Sequence, residues 1–118
     1  DTALKETDDI LAANADLDIL FVLDGSMGVA STSSIQSAGL EGQVMVCCAG
    51  GRKEELAAIQ EGTIVASATC DPRQEGKWSV LMAAYAASGA NVPATMYIDS
   101  VGINANNAAE LYDPDSAY

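Results

Sequence analysis

Apolar residues in this chain alternate between helical spacing and short unbroken runs. Leu4, Ile10 and Leu11 follow a helical period, which predicts an amphipathic helix over residues 2–14. Residues 17–23 are almost continuously apolar and rich in β-forming residues, which is typical of an interior parallel strand covered on both faces. The same alternation predicts strands at about 17–23, 43–48, 63–69 and 95–101, and further helices at about 26–38, 52–60, 72–88 and 106–111.

This order of elements predicts an α/β fold. Because strands that alternate with helices form right-handed crossovers, we expect a three-layer sandwich with a mainly parallel four-stranded sheet and helices on both faces. The 118 residues are enough for one α/β unit and too few for two. Ligands of such sheets bind at the carboxyl ends of the strands. In this chain those ends are residues 24–26, 49–52 and 70–73.

The charge of the chain excludes one class of partner. Seventeen acidic residues against five basic ones give a net charge of −12, which repels phosphate backbones, so no direct binding of nucleic acid is expected. We interpret the acidic side chains, including Glu54 and Glu55 on a predicted helix, as a solvated surface. No apolar run approaches 18 residues, so no membrane span is predicted.

The residue types also argue against metal binding and catalysis. Cys47, Cys48 and Cys70 lack CxxC spacing and the chain has no histidine, so we predict buried structural thiols and no metal site. The absence of histidine removes the usual general base at neutral pH, and no Ser/His/Asp or Cys/His set can be assembled. The sequence therefore predicts a protein that is not an enzyme and has no cofactor.

Two strand ends carry candidate binding residues. Asp24 and Ser26 follow the first strand, where a carboxylate and a hydroxyl can bind a hydroxyl-rich ligand or a cation; alternatively, they only cap the next helix. After the second strand, a loop containing Gly50 leads to Arg52 at a helix start. Its amides and guanidinium can bind an anion, or the loop is a tight turn with an exposed arginine. Trp78, inside a predicted helix, is expected to be a core or interface residue.

Several segments together resemble a known family. These are Ala-Gly-Gly-Arg-Lys-Glu-Glu-Leu at 49–56, Glu-Gly-Thr-Ile-Val-Ala-Ser at 61–67, and Asp-Pro-Arg-Gln-Glu-Gly at 71–76. In their order they are similar to the C-terminal part of sugar-type, ribose-binding-like periplasmic solute-binding proteins of ABC transporters, which share their fold with lac-repressor-type effector domains. The resemblance implies a fragment of a non-enzymatic, extracytoplasmic receptor that binds a small molecule such as a sugar and is recognised by an ABC permease.

The resemblance also implies which residues contact the ligand. In that family a polar residue after the first strand contacts the ligand, the next strand usually ends in an Asp that binds sugar hydroxyls, and the third ends in a polar residue, often Gln, at the hinge. By position these correspond to Asp24, Gly50 and Cys70 here. Only Asp24 has a side chain that can accept hydrogen bonds from two sugar hydroxyls, because Gly50 has no side chain and a thiol is a weak partner. The resemblance in fold is therefore closer than the resemblance in the sugar site.

The family's two-lobed architecture implies a division of this chain. Residues 1–70 correspond to a partial C-terminal lobe and 71–118 to a segment of the other lobe that follows a hinge at about 69–72. The open hydrophobic edges of an incomplete lobe favour association with a second copy, so we expect a homodimer or a domain-swapped assembly.

Two alternative functions remain open at the level of sequence. The chain could be the effector-binding core of a cytoplasmic lac-repressor-type regulator, which would suit three reduced cysteines. The run from Asp24 to Gly28 also resembles the Asp-x-Ser-x-Ser metal motif of von Willebrand A-like adhesion modules, although Gly28 replaces the final serine.

Overall fold

The chain folds into alternating helices and strands in a computed structural model, which describes residues 2–116. Five helices and four strands occur in this described part of the chain. In order they are α1 (Thr2–Ala13), β1 (Ile19–Val22), α2 (Gly25–Ser37), β2 (Met45–Cys48), α3 (Lys53–Glu61), β3 (Ala66–Ala68), α4 (Pro72–Ala87), β4 (Gly102–Asn104) and α5 (Ala108–Leu111).

Local sequence signals set the bounds of the helices. Asp24 and Asp71 are the N-caps of α2 and α4, and Pro72 occupies the first turn of α4, where a missing N–H costs nothing. Gly62 ends α3 with a φ of 82°, a left-handed conformation that glycine adopts without steric cost. Most of the predicted elements are therefore found within a few residues of their expected bounds.

The four strands form one sheet in the order β1-β2-β3-β4. β1 pairs with β2 and β2 with β3 in parallel, whereas β3 and β4 are antiparallel. The α/β class and the mainly parallel four-stranded sheet are thus confirmed. β1 lies at the edge of this sheet, so its predicted interior position is wrong.

The fourth strand differs from its prediction in position and direction. It was expected at 95–101 and is found at Gly102–Asn104. After α4 the chain runs back alongside the end of β3: the amide of Val101 donates to Thr69 Oγ1 at 2.8 Å, and the hydroxyl of Ser100 donates to the carbonyl oxygen of Thr69 at 2.7 Å. Because α4 does not cross over the sheet, the chain returns to the sheet at the same end at which it left β3. β4 therefore runs antiparallel to β3.

The hydrophobic core lies between the sheet and one layer of helices. α1 packs on α2, α2 on α3, and α3 on α5. Val46, Ile59, Ile64 and Ile103 are almost completely buried in this core.

The opposite face of the sheet is open. Ile19 and Met45 are paired in register, and they are 52% and 42% exposed, while Phe21 is 64% exposed. The second helical layer expected of a three-layer sandwich is not seen in residues 2–116. The three side chains Ile19, Phe21 and Met45 are called the open face below.

α4 extends away from the sheet. None of its residues is buried, and Val80 and Tyr85 on it are 70% and 50% exposed. The described part of the chain is correspondingly elongated, at 58 × 30 × 22 Å. β4 and α5 follow α4 in sequence but pack with the preceding part of the chain, through β3 and α3. Among the described helices, none has both the length and the apolar character needed to cross a bilayer.

Candidate functional site

The loops that follow the three parallel strands lie next to one another at one edge of the sheet. The amide of Gly50 donates to the carbonyl oxygen of Ala68 at 2.8 Å, and the amide of Cys70 donates to the carbonyl oxygen of Gly50 at 2.7 Å. A Cβ built on Gly50 would be 3.4 Å from the amide nitrogen of Gly25, so the loop after β1 is equally close. The structure therefore brings together the three strand ends that the sequence singled out.

Asp24 caps α2 at the first of these strand ends. Its carboxylate accepts a hydrogen bond from the amide of Ser26 at 2.9 Å, and the Ser26 hydroxyl donates to the same oxygen. That hydroxyl is the main reason why the pKa of Asp24 lies below its ordinary value, and the charge of Arg52 adds to the effect. Asp24, and not Ser26, is thus the capping residue, and it holds a negative charge at the strand end.

The most buried polar side chain at this edge is one that sequence reasoning assigned to the solvated surface. Glu55 is 0% exposed, so that interpretation is wrong for Glu55, although Glu54 is exposed as expected. The Oε2 atom of Glu55 accepts hydrogen bonds from the amides of Gly51 at 2.8 Å and Arg52 at 3.2 Å. An acidic residue at the third position of a helix that follows a glycine-rich loop can reach back to amides at the helix start, and this was the signal available in the sequence.

The other carboxylate oxygen of Glu55 contacts two strands. Cys48 Sγ on β2 donates to Oε1 at 3.2 Å, and the Ser67 hydroxyl on β3 donates to the same atom. Burial, together with the hydrogen bond to Glu55, raises the pKa of the Cys48 thiol to about 12. Cys48 is therefore a buried, protonated thiol at neutral pH, as expected for a structural cysteine.

The carboxyl group of Glu55 occupies the space beside two glycines. A Cβ built on Gly25 would be 1.9 Å from Glu55 Oε2, and one built on Gly50 would be 2.8 Å from it. Real Cβ atoms do not approach other atoms so closely, so positions 25 and 50 can have no side chain while Glu55 is in place. Only backbone lines the site at these two positions.

The remaining cysteines are less buried than predicted. Cys47 is half-buried and Cys70 is exposed, because Cys70 follows β3 where the chain leaves the sheet. Cys70 Sγ donates to Glu75 Oε1 at 3.1 Å, and this hydrogen bond is the main cause of a raised pKa at Cys70. The prediction of three buried thiols is confirmed for Cys48 only.

A cleft of about 620 Å³ opens between the strand ends and the segment that follows them. Gly50 and Cys70 line it from the strand ends, and Trp78 and Tyr97 line it from the other side. Such a volume suits a small molecule. Ser26 and Arg52 instead line a smaller depression of about 230 Å³, and Asp24 lines neither space.

Trp78 lies half-buried at the wall of this cleft. The Nζ atom of Lys77 is 5.6 Å from the centroid of its ring, within range of a cation–π contact. Because Trp78 is the only tryptophan of the chain, its fluorescence reports on the cleft alone.

In the described range 2–116, no cluster of three or more His, Cys, Asp or Glu side chains is arranged to hold a metal ion. The segment from Asp24 to Gly28 that resembled a metal motif is instead the capped first turn of α2, with the Asp24 carboxylate occupied by Ser26.

Comparison with known proteins identifies the family. The sequence profile of the periplasmic binding protein domain matches residues 1–91. The fold is similar to that of an ABC transporter solute-binding protein from Mycobacterium smegmatis with bound glycerol, at a TM-score of 0.89 and 25% identity over 96% of this chain and 39% of that one. It is also similar to a Caulobacter myo-inositol-binding protein bound to myo-inositol, at a TM-score of 0.80 and 27% identity over 92% of this chain and 38% of that one.

A third structure supports the fold. A periplasmic solute-binding protein from Actinobacillus succinogenes with bound D-allose matches at a TM-score of 0.82 and 21% identity, over 92% of this chain and 38% of that one. No curated protein sequence matches the chain. This chain spans somewhat more than a third of the length of these solved relatives. Neither a lac-repressor-type regulator nor a von Willebrand A-like module is favoured by these matches, and the chain belongs to the periplasmic binding protein domain family.

Proposed function

We propose that this chain is part of a solute-binding protein of an ABC transporter and that it binds a sugar or a similar polyol at the carboxyl edge of its sheet. The observation that carries the proposal is the cleft of about 620 Å³ that the loops after β2 and β3 line, next to the loop after β1, in a chain of this family. Two relatives at 25% identity or more were crystallised with glycerol and with myo-inositol, both of which are polyols.

The chemistry of the edge suits a neutral, hydroxyl-rich ligand. Asp24 offers carboxylate oxygens as acceptors, and Ser26 and Arg52 add a hydroxyl and a guanidinium nearby. Trp78 and Tyr97 give the cleft aromatic faces, on which the apolar face of a sugar ring can rest. The net charge of −12 disfavours an anionic ligand.

We further propose that the site performs binding without catalysis. The family and its solved relatives are solute-binding proteins. In the longer protein the ligand is captured between two lobes, the closed form is recognised by a membrane permease, and the location is extracytoplasmic. The hinge is proposed at about residues 69–72, with 1–70 in one lobe and 71–118 as the segment that follows the hinge; within that segment, β4 and α5 pack with β3 and α3.

Titration of the chain with D-allose, myo-inositol and glycerol tests the function. Tryptophan fluorescence and calorimetry should detect weak, millimolar binding, because only part of a two-lobed cleft is present. Asp24 lies at the strand end beside the cleft and does not line it, so Asp24→Ala should weaken the affinity without abolishing it. The matched control Asp8→Ala, which removes the same charge from the exposed face of α1, should leave the affinity unchanged. No heat and no fluorescence change with any of these polyols would refute the proposal. A response to Mg²⁺ alone would favour the adhesion-module alternative.

We also propose that the chain self-associates through its open face. Ile19, Phe21 and Met45 expose on the order of 300 Å² of apolar surface, enough for the apolar centre of an interface that buries ~800 Å² per partner. β1 is an edge strand, so β1 of a second copy can pair with it and extend the sheet, which contributes the remaining area.

The mass of the chain in solution tests this association. We expect a dimer that becomes monomeric in Phe21→Lys. The matched control Val80→Lys introduces the same charge at an equally exposed apolar residue of α4 and should remain dimeric. A monomer at high protein concentration would refute the proposal.

A further inference from the structure

Glu55 connects every segment of the candidate binding edge. Its hydrogen-bond donors belong to β2, to the loop that follows β2, and to β3. Its Oε2 atom lies against Gly25, in the first turn of α2. A carboxylate has about four acceptor positions, so a single side chain can satisfy all four donors.

Burying a carboxylate in this way has an energetic cost, which raises the question of what the buried group provides. Removing a carboxylate from water costs several kcal/mol, and well-packed apolar side chains commonly replace buried ionic groups without loss of stability. What a fully hydrogen-bonded carboxylate provides instead is a fixed geometry, because each donor is held in one direction. The segments that Glu55 fixes are those that lead to Asp24, Arg52 and Cys70.

We propose that Glu55 is a positioning residue of the binding edge. It holds the Gly51 and Arg52 amides in place, and its carboxyl group fills the space that side chains at positions 25 and 50 would need. Through Ser67 it links this loop to β3, which leads into the proposed hinge. Its role in ligand binding rests on the proposed polyol site, whereas its role in ordering the loop does not.

The matched variants Glu55→Gln and Glu54→Gln test this assignment. Both remove one carboxylate from the first turn of α3, but Glu54 is exposed. Glu55→Gln replaces one carboxylate oxygen by an NH₂ group, which donates and does not accept. The Ser67 hydroxyl and the Cys48 thiol can turn to accept from it, but backbone amides cannot, so the Gly51 and Arg52 amides meet either no acceptor or a neutral amide oxygen in place of a carboxylate. Glu55→Asp, which keeps the carboxylate but withdraws it by one methylene, serves as the second variant if the glutamine variant does not fold.

The first readout needs no ligand. Amide hydrogen exchange of Gly51 and Arg52 should become at least about tenfold faster in Glu55→Gln, the factor that corresponds to one lost hydrogen bond to a charged group. Exchange in α1 should be unchanged, and Glu54→Gln should behave like the wild type. Unchanged exchange at residues 51 and 52, or an equal acceleration throughout the chain, would overturn the assignment.

The second readout uses whichever of D-allose, myo-inositol and glycerol binds the wild-type chain most tightly. Glu55→Gln should weaken its affinity about tenfold at a temperature where the variant is fully folded, since misplaced loops lose binding geometry. Unchanged affinity alongside faster local exchange would limit Glu55 to a structural role and overturn the positioning role. If no polyol binds the wild type, the proposed function fails, and the exchange experiment alone decides whether Glu55 orders the loop.

Discussion

The substitution Gly25→Ala tests the packing of Glu55 most directly. At a solvent-exposed position inside a helix, alanine is more favourable than glycine by roughly 0.5–1 kcal/mol. In this structure the new Cβ would be 1.9 Å from Glu55 Oε2 and 2.7 Å from its Cδ. The carboxyl group must therefore move by more than 1 Å, which breaks its hydrogen bonds to the Gly51 and Arg52 amides. Because a buried charge then loses its partners, we expect a net destabilisation of about 3 kcal/mol or more.

Urea denaturation monitored by circular dichroism, at one protein concentration, measures this change. In a Glu55→Ala background the clash is removed, so Gly25→Ala should become neutral or stabilising, and the coupling energy should exceed about 2 kcal/mol. Gly76→Ala on α4 is the control, because its Cβ meets nothing within 4 Å and should stabilise by roughly 0.5–1 kcal/mol. An equal cost of Gly25→Ala in both backgrounds would refute the reasoning.

Three further predictions address the thiol, the cap and the hinge. Between pH 9 and about 12 the Cys48 thiol ionises in the unfolded chain, where its ordinary pKa is 9.0, but stays protonated in the folded chain. The free energy of unfolding should therefore fall with rising pH, by up to about 1.4 kcal/mol per pH unit. In urea denaturation at a series of pH values, a Cys48→Ala variant should lack this part of the slope. Asp24→Ala should cost about 1 kcal/mol in the same assay because the helix cap is lost, whereas Asp24→Ser should keep the cap yet still weaken polyol binding. Equal stability of the two variants would contradict the capping role. Thr69→Val removes the acceptor of the Val101 amide and should cost about 1 kcal/mol, and an unchanged melting temperature would show that this hydrogen bond does not contribute to stability.

The regular part of the fold could be predicted because its signals are local. Apolar runs, Pro72 at a helix start and Gly62 at a helix end each act within a few residues, and the elements from α1 to α4 follow from them. The fourth strand could not be predicted in this way. Its direction depends on the path of the chain after α4 and on pairing with Thr69, which is about thirty residues away in sequence.

The open face shows a second limit of sequence patterns. A strand with apolar residues on both faces predicts cover on both faces, and β1 has such residues, but helices cover only one. The apolar pattern therefore indicates that both faces of β1 are buried, whereas residues 2–116 by themselves bury only one. We expect either a second copy or the remainder of a longer protein to cover this face. A wild-type dimer that becomes monomeric in Phe21→Lys indicates a second copy, whereas a monomeric wild type indicates the remainder of a longer protein.

Glu55 explains why the candidate site departs from the family pattern. The resemblance implies an acidic ligand contact at the position of Gly50, and from the sequence its loss is simply a missing side chain. In the structure, the Glu55 carboxyl group lies 2.8 Å from where a Cβ at residue 50 would be, so a side chain there and a buried Glu55 exclude each other. An acidic group is thus still present beneath this strand end, but it comes from α3 and binds the protein's own amides. In the proposed polyol site, ligand contacts would then fall to Asp24, Arg52 and the cleft wall, and we expect a specificity different from that of a binding protein with an acidic residue at this strand end.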